Sequence, residues 1–104
     1  MGRFFIQTYG CQMNEADSEL LAGLLVEEGW APVGRPEDAD LVLVNTCAVR
    51  ERAAARALGY LENLAALKRE RGLRIGMVGC LARHLGRSAL ERLPHVDVLL
   101  GPDS

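Results

Sequence analysis

Three cysteines occupy the same kind of place in this 104-residue chain. Cys11 follows the apolar run 4–8 through Tyr9 and Gly10. Cys47 follows the run 41–46 directly, and Cys80 follows 75–78 through Gly79. Each run has the length of a strand, so each thiol is expected just beyond a strand's carboxyl end. In an open parallel sheet that end is where ligands bind. Neighbouring strands lie about 5 Å apart, so adjacent strand-end loops can bring three thiolates within the span of one metal cluster. A helix is expected after each cysteine. The positive end of a helix favours thiolate over thiol. Gly10 and Gly79 would let the backbone turn sharply beside a bulky ligand.

The chain holds no Cys-x-x-Cys knuckle, so the fold has to gather these ligands. All-sulfur ligation suits an iron–sulfur cluster or zinc. Three ligands would leave one iron of a four-iron cluster open, and an open position means a metal that takes part in chemistry. The plain alternative is that cysteine is a small buried hydrophobe, yet all three fall at strand ends. His84 and His95 do not follow strands in this way and read as surface or core residues. Trp30 and Tyr60 read as core or helix-surface residues, and Tyr9 could shield the site.

The elements that must position these residues follow from the pattern. Leu41, Val42, Leu43 and Val44 run apolar without alternation, as in a central strand covered on both faces. A first strand is expected at 3–8 and a helix from an Asn14 N-cap, with Asp17 closing a capping box, to about residue 28. Leu20, Leu21, Leu24 and Leu25 are expected to face the sheet, and Gly29 to end the helix. A short edge strand at 30–33 leads to a connector, 34–40, that is short for a parallel crossover. After the strand at 41–46 comes a helix over 49–71, with Ala54, Ala57, Leu58, Leu61, Leu64 and Ala65 inward and Gly72 at its end. A strand at 73–78, a helix at 82–93 and a last strand at 96–100 complete the chain. Strands alternating with helices predict an α/β, three-layer domain with a five-stranded, mostly parallel sheet in the flavodoxin-like order 2-1-3-4-5. In that order the three cysteine-bearing strands are neighbours.

A chain of this length is one domain. Its apolar runs are too short to cross a membrane and its amino end too short in hydrophobics for a signal peptide, so the expected location is cytoplasmic. An odd cysteine count argues against a disulfide scaffold. Charge is uneven. Residues 1–47 hold two basic and eight acidic side chains, and residues 48–92 hold ten and four. The basic half could face an anion such as nucleic acid, or could simply form solvated helix faces. Arg50 and Arg52, at a helix amino end where cations are mildly disfavoured, point to an anionic partner or to plain surface placement. There is no GxxxxGK[ST], GxGxxG or GxSxG motif.

The segments 8–18 (TYGCQMNEADS), 39–51 (ADLVLVNTCAVRE) and 79–82 (GCLA) resemble, in order, the signatures of the radical-SAM methylthiotransferases. Gly-Cys-Gln-Met-Asn and Asn-Thr-Cys-Ala-Val-Arg-Glu are similar to the tRNA branch, MiaB, rather than to the ribosomal-protein branch. The resemblance implies that residues 1–104 are an N-terminal methylthiotransferase domain whose Cys11, Cys47 and Cys80 bind an auxiliary 4Fe-4S cluster. Its open iron would carry the sulfur inserted at C2 of an isopentenyl-adenosine beside the tRNA anticodon. Gly10, Gln12, Asn14, Asn45, Thr46 and Gly79 are the expected surroundings of the ligands, and no residue here is assigned as catalytic. The family's CxxxCxxC motif, which holds a second 4Fe-4S cluster and S-adenosylmethionine, does not occur in these residues, so the radical-SAM and TRAM domains are expected to be absent from this chain. Alone, the chain is expected to bind a cluster without catalysing the reaction. Partners would be tRNA and those two domains, with no membrane. The alternatives are a domain acting on another tRNA base or a ribosomal protein, and a three-cysteine zinc or persulfide module.

Overall fold

The computed structural model describes residues 2–9, 12–46, 51–79 and 94–100, and of residues 12, 13, 51–54 and 98–100 only the backbone. Five strands form one sheet: β1 (Arg3–Tyr9), β2 (Ala31–Pro32), β3 (Leu41–Thr46), β4 (Arg74–Val78) and β5 (Val98–Leu100). Their order is β2-β1-β3-β4-β5, and every pairing is parallel. The middle three are long and the two edges short. Helix α1 (Gln12–Glu27) joins β1 to β2, and α2 (Glu51–Arg71) lies between β3 and β4. The helix expected at 82–93 and the tail 101–104 lie outside the described residues.

In a parallel sheet, registered neighbours share a face and successive residues alternate. Phe5, Val42 and Ile75 are in register, as are Val44 and Met77. These residues pack with Ala57, Leu61 and Leu64 of α2 into the main core. The stripe expected on that helix is therefore met where it is described; the side chain of Ala54 lies outside the described residues. The opposite face carries Phe4, Leu43 and Val78, all buried, and bears α1. The two described helices thus cover opposite faces.

The short β2–β3 connector is explained by the register. β2 pairs only with Arg3 and Phe4, and β3 begins level with Phe4. The chain leaves the edge strand almost at the height where β3 starts, so the crossing needs no return helix. A single 3-10 turn, Pro36–Asp38, suffices. Gly29 and Gly72, with φ of 98° and 70°, end the two helices as expected.

Two expectations for α1 are corrected. The helix begins at Gln12, so Asn14 is its third residue and not its cap, and no capping box with Asp17 forms. Leu20 and Leu24 do not face the sheet: they are 65% and 52% exposed. The inward stripe is Asn14, Ser18, Leu21, Ala22 and Leu25, spaced at helical intervals. Its upper members are polar because they meet a polar partner on the sheet.

Candidate metal centre

The strands that precede the three cysteines lie side by side, with β3 between β1 and β4. They also end together. Tyr9, the last residue of β1, pairs with Thr46, the last of β3, and Val78, the last of β4, pairs with Asn45. In sequence, Cys11 comes two residues after the first of these ends, Cys47 one after the second and Cys80 two after the third. Gly10, Cys11, Cys47, Arg50, Cys80 and His84 themselves lie outside the described residues, as do the side chains of Gln12 and Arg52.

Asn45 is 1% exposed and uses every hydrogen-bonding group of its amide. Its Nδ2 donates to the carbonyl of Asn14 at 2.8 Å and to Ser18 Oγ at 3.0 Å, and its Oδ1 accepts from Asn14 Nδ2 at 3.2 Å. Ser18 Oγ in turn shares a hydrogen bond with Thr8 Oγ1 at 2.7 Å. One neutral network therefore joins β1, α1 and β3 just below the strand ends. Of the expected residues, Asn14, Asn45, Thr46 and Gly79 are described and cluster at this rim. Thr8 and Ser18 were not anticipated; the four-residue step from Asn14 to Ser18 is the signal that would have found the second.

Gly79 extends this packing to β4. Its φ is 95°, and a Cβ built there would stand 2.6 Å from both Asn45 Oδ1 and the Thr46 carbonyl oxygen. Only glycine fits, because the turn after β4 rests directly on the end of β3.

On the α2 face the rim is different. Thr46 is fully buried, and its Oγ1 has no hydrogen-bond partner among the described residues. Tyr60 Oη is likewise buried and unpartnered. Burial, with Tyr9 and Glu37 adding to it, pushes the Tyr60 phenol up to about 12. The Tyr9 and Tyr60 rings meet edge to face at 6.0 Å between centroids, and the Arg56 guanidinium lies 5.3 Å from the Tyr9 centroid. Burial raises the Tyr9 pKa, against the pull of Arg56. His95 has a structural task, with Nε2 2.5 Å from the Leu61 carbonyl oxygen. Among the described residues no group of three or more His, Cys, Asp or Glu side chains could hold a metal ion. Among them, too, no helix is long and apolar enough to cross a membrane.

The rim suits a cluster held by three thiolates. The strand ends are level, the buried polar side chains described there (Asn14, Asn45, Thr46) are uncharged, and Thr46 Oγ1, one residue before Cys47, is a donor with no acceptor among the described residues. Thiolate and sulfide sulfur are acceptors.

The uncharacterized protein family UPF0004 matches residues 3–101. The chain is 47% identical to a tRNA-2-methylthio-N(6)-dimethylallyladenosine synthase of Dictyoglomus thermophilum, over 97% of this chain and 23% of that protein. It is 47% identical to the synthase of that name from Chlorobium luteolum, over 98% of this chain and 23% of the relative. With the one from Thermotoga petrophila it shares 48%, over 95% of this chain and 22% of the relative. The chain thus spans under a quarter of the length of the curated relatives it matches.

Proposed function

Since the chain belongs to the UPF0004 family, we propose that it is the N-terminal, cluster-holding domain of a tRNA methylthiotransferase. Cys11, Cys47 and Cys80 would be the ligands of one 4Fe-4S cluster. The observation that carries this reading is the level ending of β1, β3 and β4, each followed within two residues by a cysteine. The family match and the relatives' names supply the reaction class.

A 4Fe-4S cluster with three protein ligands supplies an iron open to an external sulfur atom. The chain's own residues have three tasks at that rim. The cysteines bind. Asn14, Asn45 and Gly79 set the backbone from which they project. Thr46 Oγ1 offers a hydrogen bond to a sulfur acceptor, which stabilises the anionic form of a ligand. Tyr9, with Arg56 over its ring and Tyr60 edge-on to it, walls the same end of the sheet. The substrate in this reading is the dimethylallyl-adenosine of a tRNA, methylthiolated at C2. S-adenosylmethionine and a second 4Fe-4S cluster would be held on a radical-SAM domain of the same polypeptide, and a TRAM domain would grip the RNA. This chain alone would not turn over.

Anaerobic incubation with iron and sulfide, and in parallel with zinc, tests the reading. The expected product is brown, absorbs broadly in the visible and holds about four irons per chain. Tight uptake of zinc with no coloured species from iron would instead favour a three-cysteine zinc module.

A further inference from the structure

We propose that Asn45 is the positioning residue that fixes the three cysteine-bearing segments relative to one another. This rests on the cluster reading above and extends it to a residue that binds no metal. The amide of Asn45 touches each segment in turn. It holds the Asn14 carbonyl and side chain, three residues after Cys11, and through Ser18 it reaches Thr8, three residues before Cys11. It sits on the backbone of β3, two residues before Cys47. Its Oδ1 lies where a Cβ on Gly79 would collide, so the turn that leads into Cys80 is seated against it.

No other described side chain makes this set of contacts, and its position in the middle strand is what allows it. β1 and β4 are not paired to each other; each is paired only to β3 on this side. A link between their ends has to pass through a β3 side chain at the rim, on the α1 face, and Asn45 is that side chain. An amide suits the task better than an ion. It offers two donors and an acceptor to neutral partners, and it adds no charge beside a group of thiolates. Asp would put a second oxygen against the Asn14 carbonyl and forfeit both donor bonds. Ala would release all the partners at once.

The test uses this chain with Asn45→Ala and Asn45→Asp, beside Leu64→Ala as a control of similar destabilisation in the α2 core. Two readouts are taken after circular dichroism has shown each variant folded. The first is the rate at which reconstituted iron is lost to a chelator. The second, on metal-free protein, is the yield of fluorescent product from dibromobimane, which requires two thiols close enough to be bridged. The proposal expects iron loss roughly ten- to a hundredfold faster in the Asn45 variants, a clear fall in bridged thiols, and near-normal values for Leu64→Ala. Where Asn45→Ala does not fold, Ser18→Ala, which removes one arm of the network, carries the test and is expected to show a smaller effect in the same direction. Asn45 variants that retain iron and bridging like the parent overturn the proposal. So does a Leu64→Ala variant that loses both equally, since Asn45 would then be merely structural. A parent chain that takes up no iron, yet bridges its thiols in a way that Asn45→Ala abolishes, sinks the cluster reading and supports the positioning role.

Discussion

At the amino ends of the strands the polar groups are charged and paired. Asp40 accepts the Arg3 backbone N–H at 2.9 Å, with the Arg3 and Arg71 guanidinium groups 3.9 and 3.8 Å away. Asp97 accepts from Lys68 Nζ at 2.5 Å and from the Ile75 N–H at 2.9 Å. At the carboxyl ends Asn14, Asn45 and Thr46 are neutral and buried, and the charged group described there, Arg56, lies exposed over Tyr9 without an ion-pair partner among the described residues. One of the buried three, Thr46, has an Oγ1 with no partner among the described residues. The charged end keeps its ions half in water, where each pair contributes little but leaves nothing unsatisfied. The neutral end accepts the cost of burying amides and hydroxyls, and leaves a donor over. An arrangement tuned only for stability would not do so. The difference sets the two ends apart, and the carboxyl end is the one the proposed cluster would occupy.

Substitutions at the two ends should therefore behave differently. The largest contrast is between two glycines of positive φ. Gly79→Ala meets backbone and side-chain oxygen at 2.6 Å, and should cost about 3 kcal/mol or more. Gly72→Ala, with nothing within 4 Å, should cost only the conformational penalty of about 1 kcal/mol. Urea midpoints compare them directly, and equal losses would remove the claim that the β4 turn is seated on Asn45.

Next comes Asp97. Burial alone would raise its pKa, but the Lys68 ammonium and the Ile75 N–H outweigh that and hold it below the usual carboxylate range. A carboxylate depressed in the folded state contributes stability above its unfolded pKa, near 4, and loses it as pH falls through the folded value. Asp97→Asn should lower stability by about 1 kcal/mol at pH 7 and flatten the fall below pH 4, read by denaturation at both pH values.

At the carboxyl end the sign should reverse. Thr46→Val replaces an unpartnered buried hydroxyl with a methyl, and should leave stability unchanged or raise it by up to about 1 kcal/mol. It should at the same time weaken iron retention. Tyr60→Phe should likewise leave stability at pH 7 unchanged or slightly higher. Burial pushes the Tyr60 phenol up from its ordinary 10.0 to about 12, so the folded state resists its ionisation and stability falls as pH rises from 10 toward 12. Tyr60→Phe should remove that alkaline loss, seen in melting temperatures across the range. Smallest is Arg3→Ala, an exposed pair at 3.9 Å, expected within about 0.5 kcal/mol of the parent.

The apolar pattern alone located the strands that matter. The unbroken run at residues 41–44 marked the middle strand, and the alternation of strands with helices gave the α/β class and put the cysteine-bearing strands side by side. The α2 stripe was equally legible, because an all-apolar face obeys a single rule. The α1 face was not. Reading only its leucines rotated the helix, since the residues that set its orientation, Asn14 and Ser18, are polar and answer to Asn45 across 31 and 27 residues of chain. The same blindness made Asn14 look like a cap. A side chain's long-range partner is invisible to local periodicity. The hydroxyl of Thr46 and the contact of Tyr9 with Arg56 and Tyr60 were hidden for that reason too. The cysteines were singled out by type and by their place after strands; the network that joins the described strand ends was not.

Residues 11, 47 and 80 must act as one ligand set if this domain holds a cluster. The direct measurement is the iron and sulfide content of the anaerobically reconstituted chain beside its Cys11→Ala, Cys47→Ala and Cys80→Ala variants. About four irons in the parent, with the cluster lost or degraded in each variant, is the predicted result. A parent that binds no iron, or a variant that keeps the full complement after losing any one of these cysteines, would contradict it.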